Sequence, residues 1–577
     1  MIFHRSRGLN LFSEACSLLF LLGIHFLCLR YFHKFDFYGE EGPRWLAFWI
    51  SPLPVLFSYF VLRVFFRPIF STAAVTSLEF VLSVAHVSKV AIINEALSWG
   101  DIFQTPNYSI VFRYVTFWHL ALLTVLVTIS FLIFRFEGKK GPYSWKARLA
   151  FLVLAILLYP IVLFSHFAEG ESESARILRH HLWKNKLAYF FPDWKKDVKL
   201  YGLPYHLAHT SGKKNPALPI ESEREEFKKL VNKEVSQINR PQTVIYILCE
   251  SCWHDETHFS EIFSPLRERG FREFRSISPV YGGATANAAF EVMTGLPSRT
   301  NSLNGVIYQE YASSMGKRAH ALPRHLNNLG FSTVAVHNHD RNFWHRNIIN
   351  PKFGFERFIG LQDMDYKGSR KGWADDSILF DSALKVLKET KGKPLFLYLT
   401  TVYSHGPYEN GNDSGVTDYR IKINRTVSQL AGFVDEALKI DPDALILVFG
   451  DHKPSLNEFY IRAGILPADA FDKVNQWELI GDVPVYVRSS KKDSVDRVVK
   501  AASGLPFFCM SQAMDDEFLQ SGVPAFQFSK EQKLCSSEEK RQYRIFRRAY
   551  PDWLYSLSLF NDKNEGLTLR LHSLLDF

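Results

Sequence analysis

Four residues stand beside strongly apolar runs and carry side chains that can do chemistry together. Glu250 ends TVIYILCE, Thr285 sits in VYGGATAN, and Asp451 and His452 follow ALILVFG. Two carboxylates and an imidazole offer hard oxygen ligands and one nitrogen, a mix that suits Mn, Zn or Mg without choosing sharply among them. A threonine hydroxyl beside such a metal loses its proton more readily and becomes a nucleophile. Taken singly, each residue also has a plain reading: Glu250 as an acid opening a helix, Asp451-His452 as a turn pair, Thr285 as a helix cap. Their shared placement after apolar runs weighs against all of these holding at once.

The neighbours extend the chemistry. Gly282 and Gly283 let backbone approach closely, and ANAAFEVMTGL then reads as a helix. A phosphate at its start would meet free backbone N–H groups and the positive end of the helix dipole. Asn287 is a candidate further donor. In HNHDRNFWHRN, Arg346 is suited to clamp a phosphate and Trp344 to cover the alcohol it carries. His337, His339 and His345 crowd the same segment, and one of them is expected to function while the others pack. His405, in VYSHGPY, is placed to bind the phosphate or protonate a leaving oxygen.

These residues need a scaffold that brings separate segments together. TVIYILCE, STVAVHN, PLFLYLTTVYS, ALILVFGD and VPVYVRS are continuous apolar runs of strand length, as expected of strands buried on both faces. Between them AAFEVMTGL, HALPRHLNNLG, DDSILFDSALKVLKET and NRTVSQLAGFVDEALKI read as helices. The alternation predicts an α/β domain with a mostly parallel central sheet. In such sheets ligands bind beyond the carboxyl ends of the strands, where the singled-out residues fall.

The 577-residue chain is too long for one ordinary domain. Its first part carries five apolar runs near the length needed to cross a bilayer, roughly Leu11–Tyr31, Trp45–Phe66, Phe70–Ile93, Tyr114–Phe134 and Leu149–Phe167. The third carries Glu79 and His86, seven apart and near one helical face, which are expected to bond across helices. The first lacks a small-residue cleavage site and reads as a retained anchor. Basic residues concentrate in alternate loops, so the N-terminus is expected inside and the large C-terminal part outside the cytoplasm. The expected plan is a five-helix transmembrane domain at 1–168, a helical linker at 169–240, a catalytic domain at 241–500 and its C-terminal extension at 501–577. In the linker, Phe227, Leu230, Val231 and Val235 form the apolar side of a charged helix.

The formal net charge of +9 does not point to nucleic acid, because no basic-aromatic binding module accompanies it; attraction to an anionic lipid surface is simpler. Cys249 and Cys252 flank Glu250 and resemble neither a zinc knuckle nor a redox pair. A Cys509–Cys535 disulfide is left open. So is the resting place of the basic, aromatic segment EEKRQYRIFRRAYPDWLY, on the membrane surface or on the catalytic domain.

ILCES, YGGATANAAFEVMTG, NFWHRN, YSHGPY and FGDHKPS together resemble the lipoteichoic acid synthase branch of the alkaline phosphatase/sulfatase superfamily, over nearly the whole chain. That resemblance implies a multi-pass helical membrane domain followed by a sulfatase-like α/β domain. It implies one metal, usually manganese, on the residues matching Glu250, Thr285, Asp451 and His452, and a phosphoglycerol pocket lined by those matching Trp344, Arg346 and His405. Thr285 would then attack phosphatidylglycerol, release diacylglycerol and pass glycerophosphate to a cell-envelope glycan or polymer. The implied location is the bacterial inner membrane, with the catalytic domain extracytoplasmic. The tail after about residue 500 has no counterpart in the resemblance.

Other readings are open to the same residues. A sulfatase proper needs Cys or Ser in C/S-x-P-x-R, whereas Thr285 is followed by Ala286-Asn287-Ala288-Ala289. A two-metal phosphatase or phosphodiesterase would draw on His405 and Asp376. Phosphoethanolamine transfer is the nearer rival, in a sister family that usually carries several disulfides. A relative that kept the fold and lost activity would bind no metal.

Overall fold

The computed structural model describes residues 2–39, 42–103, 117–137, 144–163, 177–178, 180–182, 194–211, 216–233, 238–300, 302–366, 368, 372–409, 413, 415–471, 477–535 and 549–560. The chain divides into two compact units, Met1–Ala91 with Glu95–Lys214, and Ile92–Asn94 with Asn215–Phe577.

The first unit is helical. Five segments are long and apolar enough to cross a membrane: Phe12–Tyr31, Trp45–Arg63, Pro68–Ile93, His119–Glu137 and Trp145–Val162. Each expected apolar run falls on one of them; the ends of two runs, at 114–116 and 164–167, lie outside the described residues. Polar side chains in these helices pair with one another, as lipid offers them no partner. His25 Nδ1 meets Glu79 Oε1 at 2.6 Å, and His33 Nε2 meets Ser83 Oγ at 2.9 Å. Glu79 therefore bonds across helices as expected. His86 instead accepts the backbone N–H of Leu97 on Nδ1 at 3.2 Å.

The second unit is built on a seven-stranded sheet. Its strands are β1 (Thr243–Cys249), β2 (Arg272–Ile277), β3 (Ser332–His337), β4 (Arg357–Ile359), β5 (Leu395–Thr400), β6 (Leu445–Gly450) and β7 (Asp482–Arg488). They lie in the order β2-β7-β6-β1-β5-β3-β4. The five strands from β6 to β4 run parallel, and β7 pairs antiparallel with both β6 and β2. The sheet is thus mostly parallel, as the apolar runs predicted. Every residue of β1, β5 and β6 is buried, which is why those sequences carry no polar alternation.

Register positions the site. Cys249 pairs with Gly450 and Leu248 with Thr400, while His337 also pairs with Thr400. The residues that follow, Glu250, Asp451, Thr401 and Asn338, therefore emerge at one edge of the sheet. Of the expected linker residues, Phe227 and Leu230 enter the same core and Val231 is exposed; Val235 lies outside the described residues.

Helices Phe507–Met514, Pro524–Glu531 and Asp552–Leu559 also join this core. Ser511 donates to the Val292 carbonyl at 2.6 Å and Tyr555 to that of Pro297 at 2.9 Å. This part of the tail braces the segment that begins with Thr285. A Cys509–Cys535 disulfide closes it. The stretch Tyr550–Phe560 is buried there almost throughout, so the end of the basic, aromatic segment packs on the catalytic fold; 538–548 lie outside the described residues.

Candidate active site

The centre is made by two loops that leave adjacent parallel strands. Glu250 follows β1, and Asp451-His452 follow β6. Ligand atoms of these three buried residues all lie within 4.8 Å of one another. The Glu250 backbone is held by its N–H on Thr401 Oγ1, 2.8 Å, and by the Ser404 hydroxyl on its carbonyl. Its Oε1 accepts from Ser251 Oγ at 2.9 Å, and its Oε2 accepts from Thr285 Oγ1 at 3.1 Å.

The His452 ring is oriented by its own loop. Nδ1 faces the Lys453 carbonyl at 3.0 Å, so it carries the proton and leaves the Nε2 lone pair free. That nitrogen lies 3.2 Å from Asp451 Oδ2 and 3.4 Å from Glu250 Oε1. Neither His452 Nε2 nor Asp451 Oδ2 has a hydrogen-bond partner, although both are fully buried. Orphaned acceptors aimed at one point are costly in a protein interior unless a cation sits among them. Burial, and then the charge of Asp451, push the Glu250 carboxyl well above the usual range; a bound cation would reverse that balance. The donor set therefore fits one divalent metal.

Thr285 opens the helix Thr285–Thr294, entered through Ala284 at φ +60°. The tight approach is made by Gly282, at φ +67°, where a Cβ would lie 2.6 Å from Ser455 Oγ. Asn287 is engaged in structure: its Nδ2 donates to the Gly305 carbonyl at 2.8 Å and its Oδ1 takes the Ile307 N–H at 2.9 Å. It ties the 305–307 loop to the helix.

Trp344 and His345 are both left-handed, at φ +49° and +53°. Consecutive non-glycine residues in that region mark a conformation held by its surroundings. The turn delivers Arg346, which is buried with Nη1 unpartnered, its guanidinium 5.4 Å from the Trp344 ring. Burial lowers the Arg346 pKa, opposed by Tyr398, Tyr308, Glu250 and Asp451. His405 Nε2 stands 4.0 Å from Glu250 Oε1, with Nδ1 2.7 Å from the Gly406 carbonyl.

The remaining candidates separate. His337 is buried with Nδ1 on the Thr400 carbonyl at 2.8 Å, and burial, then Arg346, hold its pKa far below the ordinary value. His339 packs among aromatic rings, 5.5 Å from Trp373 and 5.1 Å from Phe343. His345 is half-buried. Asp376 is spent on structure: it accepts from Asn338 Nδ2, the Val402 and Tyr403 N–H groups, and Thr426 Oγ1. It is not available to a second metal.

Sequence reading missed three contributors. Trp373 packs against His405 with the rings tilted by 37° and 4.3 Å between centroids, and donates Nε1–H to the Gly406 carbonyl at 2.8 Å. Tyr419 donates to the Ser251 and Trp253 carbonyls. Neither is marked by any pattern. The third was legible: Cys249-Glu250-Ser251-Cys252 is a C-x-x-C spacing, and the two cysteines form a disulfide. The sequence reading sets them apart from a zinc knuckle or a redox pair and assigns them no disulfide.

Residues 242–499 match the family model named Sulfatase. A Rhizobium meliloti (strain 1021) protein provisionally named for cyclic beta-1,2-glucan modification is 26% identical over 271 residues, 43% of this chain and 42% of that protein. The lipoteichoic acid synthase-like protein YvgJ of Bacillus subtilis (strain 168) is 23% identical over 210 residues, 32% of this chain and 33% of its own length. The chain thus spans less than half the length of these curated relatives. The Streptococcus pyogenes phosphoglycerol transferase GacH, solved with sn-glycerol-1-phosphate, aligns at 20% identity and a TM-score of 0.42, covering 60% of this chain and 95% of that one. Enzymes of this superfamily are divalent-metal dependent and transfer or hydrolyse phosphoryl or sulfuryl groups. Residues 242–499 of this chain are therefore a Sulfatase domain.

Proposed function

We propose that this protein is a membrane phosphoglycerol transferase that moves glycerophosphate from phosphatidylglycerol, or a similar phospholipid, to a cell-envelope glycan or polymer. The observation that carries the reading is the Thr285 hydroxyl, bonded to Glu250 beside the unpartnered Asp451 Oδ2 and His452 Nε2. The catalytic segment would span 241–500, with 501–577 as its extension.

Glu250, Asp451, His452 and Thr285 would hold one divalent metal, with manganese the first choice and zinc or magnesium the others. When bound, the metal supplies Lewis-acid activation of the hydroxyl and neutralises developing charge. Thr285 Oγ1 forms the bond to phosphorus, its proton passing to Glu250 Oε2. The bond to the diacylglycerol oxygen breaks, and His405 protonates that oxygen. Arg346 clamps the phosphate, and Trp344 covers the glycerol. An acceptor hydroxyl then gives its proton to His405 and displaces Thr285 from the glycerophospho-threonine, Thr285 Oγ1 taking its proton back from Glu250 Oε2.

The five apolar helices support a membrane location for a lipid donor. The inner membrane, with the catalytic part outside the cytoplasm, is the location we propose; the two disulfides support an oxidising compartment. The glucan in the name of the Rhizobium meliloti relative supports a glycan acceptor. Phosphoethanolamine transfer is the second reading, favoured by the pairing of all four cysteines at 249, 252, 509 and 535.

The test is intact mass of the purified protein after incubation with phosphatidylglycerol and Mn²⁺, beside Thr285→Ala. A glycerophosphate adduct on the native chain alone supports the reading. An adduct only with phosphatidylethanolamine moves the protein to the second reading. No adduct with either lipid overturns both.

A further inference from the structure

The loop that carries Glu250 is a closed ring. Cys249 and Cys252 are joined through their sulfurs, with only Glu250 and Ser251 between them. Both cysteines are buried, at 0% and 2% exposure, so the bridge is internal. Each ring member other than Glu250 touches the loop that carries the other ligands. The Cys249 carbonyl accepts from the Asp451 N–H at 3.3 Å. The Ser251 N–H donates to Asp451 Oδ1 at 2.7 Å. The Cys252 carbonyl lies so close over Gly450 that a Cβ there would be 1.9 Å from it. Gly450 directly precedes Asp451-His452.

This turn needs holding. Ser251 sits at φ +54°, in the left-handed region that residues with a side chain rarely adopt. Tyr419 restrains the far side through the Ser251 and Trp253 carbonyls, 3.0 and 2.8 Å. On the near side the disulfide acts with the Cys252 N–H to Cys249 carbonyl bond of 3.2 Å and with the Thr401 and Ser404 bonds to the Glu250 backbone. Opening the bridge would free Ser251 to relax toward ordinary backbone, which would shift the Glu250 carboxylate and the Ser251 N–H that orients Asp451.

We propose that the Cys249–Cys252 disulfide is a positioning clasp that sets Glu250 against Asp451 and His452, so that metal affinity at this site depends on the redox state of the pair. The inference rests on the reading of these three residues as a metal site, and not on the identity of the lipid donor. The chemistry is thiol–disulfide exchange with a small dithiol. Two electrons pass from the dithiol to the bridge, its two protons go to the sulfurs of Cys249 and Cys252, and the dithiol ends as its own disulfide.

The experiment is Mn²⁺ titration by calorimetry on the full chain in detergent micelles. It compares wild type, Cys249→Ser/Cys252→Ser and the control Cys509→Ser/Cys535→Ser, with a thermal melt of each. The expected result is a Kd weaker by about 10-fold or more in the first variant, the size seen when groups orienting ligands are lost, and unchanged in the control. If the first variant does not fold, wild type reduced with dithiothreitol and desalted takes its place, and reoxidation is expected to restore affinity. A Kd within about twofold of wild type overturns the proposal. So does an equal loss of affinity in the control, which would make both bridges general staples. Wild type that binds neither Mn²⁺ nor Zn²⁺ sinks the metal-site reading itself, and the clasp with it.

Discussion

His452 Nε2 and Asp451 Oδ2 face each other at 3.2 Å in a fully buried site, and neither has a hydrogen-bond partner. The imidazole is turned this way by its Nδ1 contact with the Lys453 carbonyl. Buried acceptors this close together are costly unless a cation lies among them. Metal binding should therefore stabilise the fold. At a metal concentration of 100 times Kd the gain is about 2.7 kcal/mol. Thermal melts with and without Mn²⁺ should show a rise in wild type that chelator removes. Asp451→Asn should lose the rise and melt no lower than wild type without metal, because two buried carboxylates are reduced to one.

Thr285 is the only hydroxyl bonded to Glu250 Oε2 among the described residues. Thr285→Ala should lower headgroup transfer by about 10³-fold or more, as expected when a nucleophile is lost, while metal affinity falls much less. Thr285→Ser should recover part of the rate. Turnover of a fluorescent phosphatidylglycerol, with metal titration alongside, separates these effects. Transfer undiminished in Thr285→Ala would remove the nucleophile assignment.

Asp376 gathers four donors from three segments, reaching Asn338, the 402–403 backbone and Thr426. Asp376→Ala takes the acceptor from the buried Val402 N–H and Thr426 hydroxyl, while Asn338 Nδ2 keeps the Ala374 and Asp375 carbonyls. The expected cost is about 3–5 kcal/mol, seen as a large drop in melting temperature. Metal stoichiometry should stay at one per chain. A second equivalent bound by wild type and lost in this variant would restore the two-metal reading.

Asp515 reports on pH. It is buried, accepts the Ser521 N–H at 2.9 Å, and its carboxyl is pushed up to about 7, chiefly by burial. The folded state keeps the proton that the unfolded chain releases near pH 4. Stability is therefore fullest below pH 4 with respect to this group and declines as pH rises to about 7, by an order of 3–4 kcal/mol. Asp515→Asn should be close to neutral at pH 4.5 and raise the melting temperature at pH 8. A constant offset between the two proteins across that range would contradict the assignment.

The architecture was legible where composition alone decides it. TVIYILC, LFLYLT and LILVFG carry no polar alternation, so they had to be strands covered on both faces, and they lie side by side at the centre of the sheet. The five apolar runs were equally plain, since length and hydropathy define a candidate span. The edge strands were not: REFRSI is polar and RFI is three residues long. Their pairing depends on a neighbour that no local pattern announces.

At the site, the sequence by itself determined which residue types leave the carboxyl ends of which strands. That sufficed to set Glu250, Asp451 and His452 together, because the adjacent parallel strands β1 and β6 deliver their following residues to one edge; Thr285 arrives separately, on the helix that follows the edge strand β2. Tertiary structure alone decided which polar groups were spent and which left open. Asp376 is filled by partners 26 to 50 residues away and Asn287 is tied to the 305–307 loop, whereas Arg346 Nη1, His452 Nε2 and Asp451 Oδ2 have no partner. The reason is physical: a buried polar atom is defined by what lies within 3 Å of it, and long-range packing, not sequence spacing, sets that distance.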